Sequence, residues 1–214
     1  VIERIRNKKV EILLLKDIFD FKRGLFIPPS YYSNTKTSRP YIRIKELTGK
    51  IGIDEEKIIY IKDDYPNDEI NKLKENDIVI AIIGDTIGKA NRIYQDLAGG
   101  FCSNNTARLR IKLKDKVLPE YAEILFQSLP IQKQIEKKKA PTGQPKISDN
   151  EIKTIMIPIL PNSIQHQIAE LVRKSHQARK KAKELLETAK KAVEIAIERS
   201  EEEALRHLRC IKEI

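Results

Sequence analysis

Gly84-Asp-Thr-Ile-Gly-Lys-Ala90 has the outline of a loop that cradles phosphates. Such a loop needs four residues between its glycines, then Lys and a Ser or Thr whose hydroxyl holds magnesium. Here three residues separate Gly84 from Gly88, and Ala90 stands where the hydroxyl belongs. A hairpin turn presenting Asp85, Thr86 and Lys89 is the better reading. Asp63, Asp64, Asp68 and Glu69 suggest the acidic set of a nuclease metal site. No strand-borne lysine accompanies them, and a Tyr65-Pro-Asn-Asp68 loop accounts for the cluster. His166, His176 and His207 share no metal-ligand spacing. Two cysteines, Cys102 and Cys210, make neither a disulfide framework nor a four-cysteine zinc site. No nucleophile–base pair and no cofactor fingerprint stands out. The sequence argues against an enzyme, and no cofactor or metal is expected.

Binding chemistry fares better. Residues 33–39 form a polar loop whose Lys36, Thr37 and Arg39 suit phosphates or base edges. Arg43 and Lys45 occupy one face of the strand expected at 40–45. Thr86 and Lys89 sit in the hairpin turn. Asn104 and Asn105 interrupt a strand, and amides can read adenine in the major groove. Lys137, Lys138 and Lys139, with Thr142, Gly143, Gln144 and Lys146, form the best candidate contact to DNA. Lysines attract phosphates whatever the sequence, and a glycine allows close backbone approach. Each feature has a plainer alternative: an ordinary loop, a bulge, a solvated helix end. Tyr31 and Tyr32 suit base stacking and equally a cap on the core.

The elements that would position these residues are short. Residues 40–45, 57–61 and 77–83 read as strands, the last a continuous β-branched run buried on both faces. With Ala90–Tyr94 and Phe101–Ile111 they predict one twisted, largely antiparallel sheet over residues 40–111. Pro119 and Pro130 open helices, which Pro favours in a first turn. Ser148-Asp-Asn150 offers caps for another, and residues 155–160 return to strand.

From residue 162 the character changes. Ile164, Ile168, Leu171, Ser175, Ala178, Ala182, Leu185, Ala189, Ala192 and Ala196 recur at alternating spacings of four and three, and no Gly or Pro follows Asn162. This is a heptad seam. From Ile164 to Arg199 the helix would run about 54 Å at ~1.5 Å per residue. Its small seam residues predict close packing against a second helix, antiparallel, from its own copy or another protein. Leu186, Val193, Ile195 and Ile197 widen the apolar stripe toward a second surface. Ala204, Leu208 and Ile211 continue in a shifted register, so a break is expected near Ser200. The domains expected are residues 1–161 and 162–214.

The chain has 214 residues, 41 Lys+Arg, 31 Asp+Glu and a formal net charge of +10. Residues 1–50 hold 12 basic and 5 acidic side chains, residues 51–100 hold 6 and 11, and residues 101–150 hold 10 and 5. Two basic stretches around an acidic one fit a folded surface with a positive face, the footprint of a nucleic-acid binder. A charge-rich solvated surface is the alternative. At 40% hydrophobic residues the chain has material for a core. No apolar run reaches the ~18–20 residues a membrane span needs, and a soluble, cytoplasmic protein is expected.

Several strings taken in order carry a resemblance. They are Leu15-Lys-Asp-Ile-Phe-Asp-Phe-Lys-Arg-Gly24, Tyr41-Ile-Arg-Ile-Lys-Glu-Leu47, residues 77–89 and Ser103-Asn-Asn105. The strongest is Ile155-Met-Ile-Pro-Ile-Leu-Pro161 leading into Gln165-His-Gln-Ile-Ala169. Together they resemble one half of a specificity subunit of type I restriction–modification systems. The resemblance implies an α+β target recognition domain that reads half of a split site in double-stranded DNA. It further implies a spacer helix that docks DNA methyltransferase subunits, with a restriction subunit as a further partner. Members of that family normally carry two recognition domains and two helices. This chain has one of each, as a natural half-subunit that forms a homodimer or as a fragment of a longer chain. A basic coiled-coil adaptor and a module cut from a fused restriction–methylation enzyme stand as alternatives.

Overall fold

The computed structural model describes residues 10–66, 68–140 and 145–209. Strand β1 (Glu11–Leu14) leads into a short helix α1 (Leu15–Ile18) and then β2 (Phe19–Arg23). Next come β3 (Tyr32–Ser33), β4 (Pro40–Ile42), β5 (Ile59–Ile61), β6 (Ile78–Ala81), β7 (Ala90–Arg92), β8 (Phe101–Cys102) and β9 (Thr106–Ile111). Helices α2 (Pro119–Gln127), α3 (Leu129–Lys138) and α4 (Asp149–Lys153) precede β10 (Met156–Ile159). Helices α5 (Asn162–Glu198) and α6 (Glu201–Arg209) follow.

The architecture is α+β, but the strands do not form the single sheet expected over 40–111. They form an antiparallel sheet β2-β9-β6-β7, a second sheet β3-β5-β4-β8 and a ribbon β1-β10. Strand β2 comes from before residue 40, and β4 pairs with β8 in parallel. The reason lies in β6, whose four residues are all fully buried. Ile78 and Ile80 join one core with α2 and α3, whereas Val79 and Ala81 join a second core with Ile42, Leu73 and Ile93. A strand wet on neither face divides two cores, and the second sheet covers one of them.

Local chemistry ends the strands early. The strand expected to reach Lys45 stops at Ile42, because the buried Glu46 accepts from the Arg43 backbone N–H at 2.6 Å and from its guanidinium at 2.5 Å. That ion pair closes a turn, so Arg43 and Lys45 do not share a strand face. Helices α2 and α3 carry Pro in their first turns, as expected. At α4 a capping box pairs Ser148 with Glu151, each side chain bonded to the other's backbone N–H at 3.2 Å.

Two charged pairs tie the sheet together from inside. Arg92 on β7, 5% exposed, donates from Nε to Glu123 on α2 at 3.1 Å and from a terminal nitrogen to Asn76 at 2.9 Å. Asp77 takes two bonds of 2.7 Å from Arg110 and one of 2.8 Å from the Lys74 backbone.

The long helix begins by packing on this domain. The first compact unit runs to Val172, because Gln165, Ala169 and Val172 are buried in it at 0%, 0% and 3% exposure. The fully buried Gln165 accepts from the Leu118 N–H at 3.0 Å and donates to the Lys116 and Leu160 carbonyls, both at 2.8 Å. The second unit, from Arg173, holds the rest of α5 and α6. The break falls between Glu198 and Glu201, where Ser200 caps α6 by accepting from the Glu203 N–H. Along the heptad seam Ile164, Leu171 and Leu185 are exposed, while Ala192 is buried. Among the described residues no helix is long and apolar enough to cross a membrane.

Removing one partner of a buried ion pair strands the other charge, at about 3–5 kcal/mol. Glu123→Ala leaves Arg92 with Glu120 at 3.9 Å as its remaining carboxylate and is expected to lower the urea unfolding free energy by up to that order. Lys116→Ala, which breaks an exposed, water-screened pair with Glu11, should leave that free energy unchanged.

Candidate nucleic-acid interface

Residues Ile82, Ile83 and Gly84, just past the end of β6, are the point where distant segments meet. The Ile82 N–H donates to the Asn105 carbonyl at 3.0 Å, and the Ile82 carbonyl accepts from the Ile147 N–H at 3.0 Å. The Gly84 N–H donates to the Pro145 carbonyl at 2.9 Å, while Lys146 bridges both Ile83 and Ala140. The turn 84–89, the turn at 104–105, the segment 145–147 and the C-terminal end of α3 therefore share one end of the sheet. These segments span residues 84 to 147 of the sequence and carry half of the candidates read from it.

Helix α3 is pinned to this point by side-chain amides. Gln132 donates to the Gly88 carbonyl at 2.9 Å and to the Phe126 carbonyl at 2.6 Å. Gly88 has φ +91°, and a Cβ there would lie 2.9 Å from the Gln132 Oε1, so glycine is required. Gln134 exchanges two bonds with Met156, at 2.8 and 2.9 Å, and so ties α3 to β10.

A further loop joins the same end. Ile44 packs against Gly84, and the Lys89 side chain lies against Gly49. The loop 48–52 is organised by Asn91 on β7, which is fully buried. Its carbonyl accepts from the Thr48 and Gly49 N–H groups at 2.9 and 3.3 Å, and its amide donates to the Lys50 and Gly52 carbonyls at 2.5 and 2.9 Å. Lys45, Lys50, Lys89, Lys137 and Lys146 are all exposed around this end, with Asp85 the exposed acid of the turn. The balance is positive.

The segment 23–27 completes the surface. Gly24 runs so close to β8 that a Cβ would lie 2.3 Å from the Cys102 and Ser103 carbonyls. The Asn104 N–H donates to the Leu25 carbonyl at 3.0 Å. The Tyr41 hydroxyl donates to that same carbonyl at 2.7 Å and accepts from the Ile27 N–H at 3.4 Å. Burial pushes this hydroxyl up to about 12 from 10.0, so it stays a donor at any physiological pH. Arg23 pairs with Asp149 at 2.5 Å, linking β2 to α4.

Not every candidate is brought here. Asn104 and Asn105 form the turn between β8 and β9 rather than interrupting a strand, with Asn104 exposed. Residues 33–39 lie at the opposite end of β4, beside 61–66 and Gly99. Arg39, expected at phosphates, is 8% exposed and donates to the carbonyls of Lys62, Asp63, Tyr65 and Pro66. Thr37 donates to the Ile61 carbonyl at 2.8 Å, so both are structural, whereas Lys36 is exposed. Arg43 is held by Glu46 and the Lys57 carbonyl. Lys138 donates to Thr154 and Lys139 pairs with Glu136, both at 2.8 Å. Thr86 is half-buried in the turn. Thr142, Gly143 and Gln144 lie outside the described residues.

Tyr31 and Tyr32 cap the core: Tyr31 packs edge-on against Tyr65 and Tyr32 tilts against Tyr41. Burial pushes the Cys102 thiol up to about 11, which keeps it an inert thiol. Asp68 accepts from Asn71, and Glu69 pairs with Lys72. Among the described residues no group of three or more His, Cys, Asp or Glu could hold a metal. Asn91 and Gln132 were not among the candidates; polar residues bounding strand and helix patterns were the only trace of them.

A family described as Type I restriction modification DNA specificity domain matches residues 7–188. No curated protein matches the sequence. The type I restriction–modification S subunit from M. genitalium superposes with a TM-score of 0.65 at 17% identity, over 88% of this chain and 45% of that one. For the HsdS subunit from Thermoanaerobacter tengcongensis the TM-score is 0.54 at 17% identity, over 81% and 39%. For the type IIG restriction endonuclease BpuSI it is 0.55 at 13% identity, over 80% and 27%. At such identities the likeness is one of fold, and the chain spans less than half the length of these two S subunits.

Asn91→Ala removes partners from four backbone groups at once. It should lower stability by about 1–3 kcal/mol and strip hydrogen-exchange protection from the Thr48 and Gly49 amides. Unchanged protection at those two amides would show that Asn91 does not hold the loop.

Proposed function

The chain belongs to the type I restriction–modification DNA specificity family, and from that premise we propose that its lysine-ringed end is a reader of double-stranded DNA. The observation that carries this reading is the convergence at Ile82–Gly84 of four sequence-distant segments bearing Lys89, Asn104, Asn105, Lys137 and Lys146. Lysines neutralise phosphates and supply affinity without sequence information, whereas exposed amides donate to and accept from base edges. The exposed Asn104, with Asn105 beside it on a tight turn, would offer both functions to an adenine. Exposed Lys36, at the far end of β4, lies outside this surface.

In this reading the chain performs no chemistry of its own. Methyl transfer and cleavage belong to partner subunits, and α5 is the element that docks the methyltransferase. The exposed Leu171 and Leu185 on the heptad seam support a second helix lying alongside, from a second copy of the chain in antiparallel orientation. Two copies related by a two-fold axis would read the same bases on opposite strands, so the complete site would be palindromic. A second reading is favoured by one observation, the fold shared with 27% of a type IIG restriction endonuclease. There the domain would be one module of a longer enzyme, and the reading frame upstream of Val1 distinguishes the two.

Each phosphate contact contributes about 0.9 to the slope of log affinity against log salt. Lys89→Ala combined with Lys146→Ala should therefore weaken binding to duplex DNA and flatten that slope by about 2, whereas Lys36→Ala leaves it unchanged. A slope equal to the parent's in the double variant removes this end from the interface. For the dimer, Leu171→Glu with Leu185→Glu should halve the molar mass found by light scattering. An unchanged mass refutes it.

A further inference from the structure

The segment 23–27 carries a side chain that neither the core nor the lysine ring explains. Leu25 and Ile27 turn inward to a core with Tyr41, Ile61 and Phe101, with Ile27 fully buried. Phe26 between them faces out and is 68% exposed. Leaving a large aromatic in water forgoes the stabilisation that burying it would give, and this one sits on hydrogen-bonded backbone. Gly24, Leu25 and Ile27 are all hydrogen-bonded, the first two to Thr106 and Cys102 and the third to the Tyr41 hydroxyl. The Asn104 N–H bonds to the Leu25 carbonyl, which sets the exposed Asn104 beside the exposed Phe26 on one edge.

An amide and an aromatic ring side by side have complementary preferences in the major groove. The amide pairs with adenine N6 and N7, and an apolar ring packs on the 5-methyl of thymine, the other half of the A·T pattern. We propose that Phe26 is a specificity-determining residue that packs against a thymine methyl in or next to the A·T pair read by Asn104. This rests on the DNA-reading function proposed above. Neither a phosphate contact nor a core role accounts for a phenyl ring held outward on a fixed loop beside the exposed Asn104.

The test removes the methyl rather than the base. Duplexes bound by the full chain are selected from a random pool, and each thymine of the enriched site is replaced singly by deoxyuridine. One replacement should weaken binding by the parent about fourfold, the worth of one buried methyl-sized group. Phe26→Ala should bind the thymine-containing site about as weakly and should not respond to that replacement. Phe26→Met, which keeps an apolar tip, should retain the response. If the parent enriches a sequence but is indifferent to deoxyuridine at every thymine, the role of Phe26 is overturned while the DNA-reading function stands. The same holds if Phe26→Ala responds as the parent does. If the parent enriches no sequence, both fall together.

Discussion

Where a strand stops, its backbone donors and acceptors still need partners, and in this domain the strands stop almost at once. Strands of two and three residues leave long connections whose polar groups lie at or near the core, where an unpaired group costs about 1–3 kcal/mol. Buried and half-buried side-chain amides meet that need. Asn91 gathers the 48–52 loop, Gln134 substitutes for a strand neighbour of Met156, and Gln132 bonds the turn at Gly88. Gln165 does the same where α5 leaves the domain, closing on Lys116, Leu118 and Leu160. The candidate interface is therefore not a set of loose loops on a sheet. It is a surface whose backbone is bonded to the core from beneath.

This construction explains why charge and specificity occupy different chemical layers. The buried arginines, Arg39, Arg92 and Arg108, are engaged with backbone carbonyls or carboxylates, the exposed Asp20 among them. Exposed lysines with flexible stems ring the end of the sheet, suited to a polyanion whose phosphates need no fixed geometry. The fixed geometry belongs to the short side chains on tight turns. Guanidinium groups organise the protein here, and ammonium groups face outward.

The parts of the fold that were legible in sequence are those whose pattern exceeds about six residues. The β-branched run of β6, the proline-opened α2 and α3, and the long heptad helix all lie where their periodicity puts them. The split into two sheets was not legible, because Pro40–Ile42 and Phe101–Cys102 are too short to show an alternation. Nor does a sequence reveal that Glu46 would capture Arg43 and end a strand, or that Arg39 would find four carbonyls contributed by residues 62–66. A basic residue before a strand reads the same whether it faces water or the chain. At the site, the types of Asn104, Lys89 and Lys146 were visible, but their meeting depends on Ile82–Gly84, three residues with no chemistry of their own.

That crossing point separates two kinds of position. The residues that hold the segments together use main-chain atoms, while those that would touch a ligand project from turns beyond them. Lys89, Asn104 and Lys146 are exposed, and changing such a side chain typically alters stability by less than about 0.5 kcal/mol. A lineage carrying this scaffold could therefore explore new target sequences in small steps, each almost neutral for folding. The bonds at Ile82 and Gly84 are made by the backbone and do not depend on the side chains at positions 89, 104 and 146. Diversification of what is read and conservation of how it is held would then proceed under separate selection.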